Sequence, residues 1–252
     1  MIVLPGNDTL KAPSPKAGDE KYFLEGPRSR LLELLFLLRT LWEFLRGFRV
    51  FHFAGPCIAV FGSARVKEDT PWYEDARKMG AGIAAMGFNV MTGGGPGIME
   101  AASKGASEAG GKALGCNIIL PKEQQPNPWL SKVFNCRHFF VRKVLMFKYS
   151  YGFVIMPGGM GTMDEFFEAL TLIQTHKILN FPVVLMGKDY WEPVMTLFRH
   201  MLAATMIDTS DLRYILYTDS TEEALAHLNK LAYEKYRTSR RKTFKRFILL
   251  GE

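Results

Sequence analysis

Two carboxylates and an arginine are the side chains in this sequence best placed to do chemistry, and each carboxylate follows a glycine turn. The first turn is Pro157-Gly158-Gly159-Met160-Gly161-Thr162-Met163-Asp164-Glu165, behind an apolar run at 152–156 and ahead of a helical pattern. Glycines at a strand-to-helix turn let an oxyanion approach the backbone, where the first helical N–H groups have no internal partner. Thr162 can add a hydroxyl. The second turn is Thr92-Gly93-Gly94-Gly95-Pro96-Gly97, with Glu100 three residues beyond Gly97 as Glu165 stands three beyond Thr162. Both carboxylates are expected in a first helical turn, where the helix dipole favours the ionised form. Two carboxylates beside a phosphate-type loop suit a ribose held by its hydroxyls and a positive charge developing nearby. N-glycosidic cleavage through an oxocarbenium-like transition state makes that demand, and a fixed carboxylate stabilises such a charge.

Plainer readings stand beside these. Thr162 and Glu165 also fit a capping box, in which both side chains only satisfy helix N–H groups. Glu100 also fits a helix-end charge with no ligand. The 158–161 turn is not a Walker loop, because no Lys-Ser/Thr follows it. Nor is it the dinucleotide Gly-x-Gly-x-x-Gly, because Asp164 fills the last position. Of the cations ahead of the central strand (Arg137, His138, Arg142, Lys143 and Lys148), one is expected to face the site and the others to be solvated.

The elements that must position these residues read as alternating strands and helices. Strands are expected at 57–61, 88–91, 112–120, 152–156, 182–186 and 214–217, with a further short one within 134–139. Helices are expected at 29–48, 71–86, 98–109, 141–149, the stretch after Gly161, 190–204 and 221–236. Such alternation predicts a Rossmann-like, doubly wound, mainly parallel α/β sheet covered on both faces. Right-handed crossovers bring every strand's carboxyl end to one edge, where Gly62-Ser63 and the two glycine loops then meet. The organisation expected is an arm and apolar helix at 1–54, a nucleotide-binding catalytic domain at 55–236 and a basic tail at 237–252. The 29–48 helix is interrupted by Glu33, Arg39, Glu43 and Arg46, so a bilayer span is not expected; packing on its own subunit or on a partner is.

The 252 residues are 48% hydrophobic, enough for a sizeable core, with a formal charge of +7. Much of that charge lies near the C-terminus. No aromatic platform or nucleic-acid motif accompanies it, so a solvated extension is expected rather than an RNA contact. The cysteines, Cys57, Cys116 and Cys136, form no Cys-x-x-Cys pair and are read as reduced, buried thiols of a cytoplasmic protein. The opening residues lack the pattern of a secretory leader. The histidines show no metal-ligand spacing, and no metal is expected.

Here the motifs become specific. Pro157 to Glu165 matches the Pro-Gly-Gly-x-Gly-Thr-x-x-Glu signature of the LOG ("lonely guy") family, nucleoside 5′-monophosphate phosphoribohydrolases long labelled possible lysine decarboxylases. Gly93 to Glu100 resembles that family's other glycine segment. Arg142-Lys143 followed by Met146 resembles its Arg-Lys-x-x-Met segment, and Gly62-Ser63 its first strand-end turn. The resemblance spans roughly residues 57–194. It implies a homodimer or larger assembly and hydrolysis of a nucleoside 5′-monophosphate to free base and ribose 5-phosphate, with no cofactor. It further implies Glu165 and Arg142 as the catalytic pair. Gly158, Gly159, Gly161 and Thr162 would hold phosphate and Glu100 the ribose. Gly62, Ser63, Gly94, Gly95, Gly97 and Lys143 would complete the substrate site. A non-catalytic carrier of a nucleotide or of the molybdenum cofactor, on the same fold, is the alternative.

Overall fold

The computed structural model describes residues 26–120 and 125–239, with side chains as far as Ala232 in the last helix. Residues 1–25 of the expected arm and 240–252 of the expected tail lie outside the described residues, while 237–239, expected in the tail, continue the last helix. A first helix, α1 (Arg30–Phe51), leads to β1 (Cys57–Phe61), α2 (Pro71–Ala85), β2 (Asn89–Thr92), α3 (Ile98–Glu108), β3 (Ala113–Ile118) and β4 (Lys132–Cys136). Then follow α4 (Phe139–Tyr149), β5 (Ser150–Ile155), α5 (Met160–Gln174), β6 (Val183–Met186), α6 (Lys188–Ala203), β7 (Ile215–Thr218) and α7 (Thr221–Ser239).

The seven strands form one parallel sheet in the order β4-β3-β2-β1-β5-β6-β7. The chain winds outward from β1 to β4, then returns to pair β5 on the other side of β1. The order therefore reverses between β1 and β5, and the crevice at such a reversal is where ligands bind. β1, β5 and β6 are buried apolar runs, as strands covered on both faces must be. Alternate residues feed two cores. Cys57, Ala59 and Phe61 face a layer containing α4, α5 and α6, while Ile58 and Val60 face α2, α3 and α7. Phe153 of β5 anchors the first layer, with the rings of Phe61, Phe147 and Phe181 at 4.9, 4.7 and 4.9 Å.

Local chemistry sets the helix ends near the site. Pro71 opens α2 behind Thr70, whose hydroxyl accepts from the Tyr73 N–H at 3.4 Å. Glycines let α2 and α3 touch backbone to backbone. A Cβ on Gly80 would strike the Ala102 carbonyl, and one on Gly105 the Arg77 carbonyl. No helix among the described residues is long and apolar enough to cross a membrane.

Candidate active site

The carboxyl edge of the sheet is knitted by backbone hydrogen bonds between the loops expected there. Ser63 N–H donates to the Pro157 carbonyl at 3.0 Å, and the Ile98 N–H donates to the Ser63 carbonyl at 3.1 Å. Thus the turn after β1 joins the loop after β5 to the start of α3. Gly97 (φ +70°) sits so close to this turn that a Cβ would strike the Ser63 carbonyl. Only glycine takes that conformation at that approach. The Ser63 hydroxyl itself accepts from the Arg65 N–H at 3.1 Å, closing its own turn.

Arg142 reaches this edge from α4 and bridges three elements. Its Nε donates to the Cys116 carbonyl of β3 at 3.0 Å, and its Nη1 donates to Glu165 Oε1 on α5 at 3.0 Å. Its Nη2 lies against Gly93, where a Cβ would come within 2.7 Å of it. Glu165 is only 1% exposed, and its other oxygen, Oε2, is buried with no hydrogen-bond partner. Burial pushes the Glu165 carboxyl up from 4.5 to about 7, with Arg142 and then Lys143 pulling the other way.

Two sequence expectations need correction here. Thr162 does not cap α5. The helix begins at Met160 behind Gly159, so Thr162 lies inside the first turn and its side chain packs on Gly158. Glu165 belongs to the second turn and holds Arg142, so the capping-box alternative fails. For the same reason, the expected bias toward the ionised form does not hold for Glu165. The dipole's effect fades beyond the first turn, and desolvation dominates.

The other cations separate as well. Lys143 donates to Asp164 at 2.8 Å and pairs with Glu168 at 2.7 Å, which fastens α4 to the flank of α5. Lys148 lies over the Phe48 ring at 5.2 Å. His138, expected in solvent, is buried. Its Nδ1 is 2.6 Å from Glu43 Oε2, while Glu43 Oε1 accepts from the N–H groups of Arg137 at 2.7 Å and His138 at 3.3 Å. Glu43 of α1 thus caps α4 one turn before Arg142, whose N–H donates to the His138 carbonyl at 3.2 Å. Despite its own burial, hydrogen bonds from His138 and Arg137 bring the Glu43 carboxyl below its ordinary value.

Glu100 does stand in the first turn of α3, half-buried. Among the described residues no hydrogen bond or ion pair joins it to Glu165 or Arg142. Its charge adds to burial in pushing the neighbouring Tyr73 phenol up to about 12. Gly94 (φ +77°) and Gly95 are held from below by Asn127. The Asn127 amide nitrogen donates to both carbonyls at 3.2 and 3.0 Å, and its backbone N–H also donates to Gly94. Thr92 Oγ1 accepts from the Gly94 N–H at 3.1 Å. On the other loop, Tyr190 of α6 donates its hydroxyl to the Gly158 carbonyl at 2.8 Å. Gly159 and Gly161 are exposed at the mouth of α5. Asn127, Tyr190 and Glu43 did not stand out in the sequence, since each acts on a partner at least 32 positions away.

A doubly wound sheet with glycine loops at its carboxyl edge, over a buried carboxylate–guanidinium pair, defines a Rossmann-like α/β protein. The sequence profile of the family described as "possible lysine decarboxylase" matches residues 99–228, just over half of the chain, and the chain belongs to that family, the LOG family. The cytokinin riboside 5′-monophosphate phosphoribohydrolase of Rhodococcoides fascians is 28% identical over 177 residues, 67% of this chain and 87% of that protein. The pyrimidine/purine nucleotide 5′-monophosphate nucleosidase of Escherichia coli K12 is 23% identical over 81% of this chain, which spans 47% of that longer protein. Among solved structures, the molybdenum cofactor carrier protein of Chlamydomonas reinhardtii is 25% identical with a TM-score of 0.54, over 71% of this chain and 99% of that one.

Proposed function

We propose that this chain hydrolyses the N-glycosidic bond of a nucleoside 5′-monophosphate, releasing free base and ribose 5-phosphate. The names of the Rhodococcoides and Escherichia relatives support the reaction class. The observation that carries it to these residues is Glu165: one oxygen is fixed by Arg142, and the other is buried, unpartnered and beside the loops that would hold substrate. A preorganised carboxylate of that kind stabilises charge where it develops, at the sugar carbon losing its base. As the bond from C1′ to the base nitrogen breaks, water adds to C1′ and one of its protons passes to Glu165 Oε2. A carboxyl near 7 is well matched to taking and returning a proton at neutral pH. The proton lost overall ends on the departing base. Arg142 stays charged throughout and acts by holding Glu165.

The exposed glycines Gly159 and Gly161, with Thr162 beneath them, would receive the phosphate at the N-terminus of α5. Gly94, Gly95 and Gly97 would line the opposite wall, with Gly62 and Ser63 between, and Glu100 at the ribose side. Lys143 would act through α5 and not on substrate, because Asp164 and Glu168 occupy it. The decarboxylase label finds no support in these residues. A pyridoxal phosphate enzyme needs a Schiff-base lysine, and neither glycine loop holds one. Three free, buried cysteines suit a cytoplasmic setting.

The likeness to molybdenum cofactor carriers favours one rival, in which the same loop holds a cofactor's phosphate without turnover. A single experiment divides the two. Incubation with a panel of nucleoside 5′-monophosphates should yield ribose 5-phosphate and free base in equal amounts. Tight binding of those nucleotides with no product would overturn the hydrolase and leave the carrier.

A further inference from the structure

α1 shows two faces of different use. The inner one, through Phe36, Thr40, Glu43, Gly47 and Phe51, packs on β4 and α4; a Cβ on Gly47 would strike Leu145. The outer one is open. Nine large apolar side chains of α1 are between 40% and 66% exposed. Within them Leu31, Leu34, Leu38, Leu41 and Leu45 recur at steps of three and four, and half-buried Phe48 continues the series. This is the a/d spacing of a heptad repeat, whose 3.5-residue period fits a second helix lying alongside. The flanking positions between Leu31 and Leu45 are Leu35, Leu37, Trp42 and Phe44, so no charge borders the seam.

We propose that this seam is the docking site for α1 of a second copy of the chain, helix against helix about a two-fold axis. Three observations select that occupant. Between Leu31 and Leu45 the seam is self-complementary, apolar at its own and its flanking positions, as an isologous contact requires. Leaving Leu32 aside, the other eight side chains leave on the order of 800 Å² open, above the ~300–600 Å² patch of an ordinary monomer and near the ~800 Å² each partner gives to a stable interface. A lipid surface fits less well. A helix lying on lipid carries cations along its polar face, whereas the face opposite this seam is packed on the protein itself. Arg39 and Arg46 lie one row beyond the flanking positions, on one side only. Because the inner face of α1 caps α4 through Glu43, pairing would brace the helix that carries Arg142. The inference stands apart from the catalytic reading.

The test is the mass of the intact chain by sedimentation and light scattering over a wide concentration range. Wild type is expected at a multiple of 28.5 kDa. Leu38→Glu/Leu41→Glu is expected at half the wild-type mass with an unchanged circular dichroism spectrum. Leu32→Glu, equally exposed but off the seam, is expected to keep the wild-type mass. A monomeric wild type, or a seam variant of unchanged mass, would overturn the proposal. So would a monomer that pairs only after removal of residues 1–25, which would mean that the chain's own arm covers the seam. Liposome binding lost in the seam variant without a change of mass would assign the face to lipid instead.

Discussion

Glu165 combines two properties that usually conflict: it is buried, and it is only half satisfied. Glu165→Gln keeps the shape and the acceptor for Arg142 but removes the charge. Turnover of a nucleoside 5′-monophosphate is expected to fall by about two orders of magnitude or more, the scale of losing one preorganised electrostatic group. Affinity for AMP should persist, since the phosphate contacts lie elsewhere. Near-normal turnover would remove Glu165 from the mechanism. Stability should move the opposite way. A carboxyl raised from 4.5 to about 7 by folding contributes stability that is complete below pH 4.5 and is lost as pH rises through 7. Ionisation at pH 8 then costs the folded wild type on the order of 3 kcal/mol, a cost the glutamine does not bear. Glu165→Gln is therefore expected to melt above wild type at pH 8 and level with it at pH 4, readable by calorimetry at the two pH values. The same titration predicts a kcat/KM that rises with pH through about 7, because the ionised form receives the proton. The phosphate of the substrate also titrates, so its ionisation must be followed separately by phosphorus resonance. A flat profile across that range would show that the charge on Glu165 does not matter.

At the scale of elements, α4 is held at both ends of its first turn. Glu43 caps its N-terminus from α1, and Arg142 ties the next turn to β3 and α5. Glu43→Ala strips the acceptor from two backbone N–H groups and the partner from His138. Such a loss costs about 1–3 kcal/mol. Glu43→Gln keeps an acceptor oxygen and should recover much of it. If the cap sets the position of Arg142, Glu43→Ala lowers kcat more than it changes KM and raises the midpoint at which Glu165 titrates. A drop in melting temperature with kcat unchanged would leave the Gly47–Leu145 contact as the device that places α4. None of this was legible in the sequence, because Glu43 and His138 lie 95 positions apart and no local spacing links them. What was legible is what burial writes locally. β1, β2, β5 and β6 are apolar runs bounded by glycine or proline, and the structure places them within two residues of expectation. β4, expected as a short strand within 134–139, runs over Lys132–Cys136. It is an edge strand with Lys132 and Asn135 exposed, so its run is broken. The start of α5 is not legible from spacing, because Thr162-x-x-Glu165 also fits a cap, whereas extended Gly159 takes that role three residues earlier. The protonation of Glu165 depends on tertiary burial, and no spacing rule carries it.

At the scale of the whole molecule, the sheet reversal between β1 and β5 brings three loops to one crevice, but one rigid unit spans the proposed chemistry. β5, the Gly158 loop and α5 are continuous, and the step from Met160 to Glu165 is about 7.5 Å along the helix axis at ~1.5 Å per residue. That is the reach of a phosphorylated pentose. A phosphate seated on the first N–H groups of α5 would thus set its sugar carbon against the carboxylate one turn on, so binding energy gained at the phosphate is used to orient the reacting bond. Removing the phosphate should then cost turnover and not affinity alone. AMP is expected to exceed adenosine in kcat/KM by two orders of magnitude or more, with kcat itself lower for adenosine at saturation. The same geometry predicts a ligand effect on folding. A compound that binds only the native state stabilises it by about 2.7 kcal/mol at a hundredfold excess over its Kd. Ribose 5-phosphate and AMP should therefore raise the melting temperature, while adenosine at equal concentration should not. Gly161→Val tests the same point from the protein side. Gly161 is exposed and has open space where a Cβ would go, so the fold should tolerate the change while the branched side chain blocks the mouth of α5. The variant should melt near wild type yet lose the shift with ribose 5-phosphate. Equal turnover of AMP and adenosine, or a shift that survives in Gly161→Val, would mean that the loop does not seat the phosphate and that the crevice takes its ligand another way.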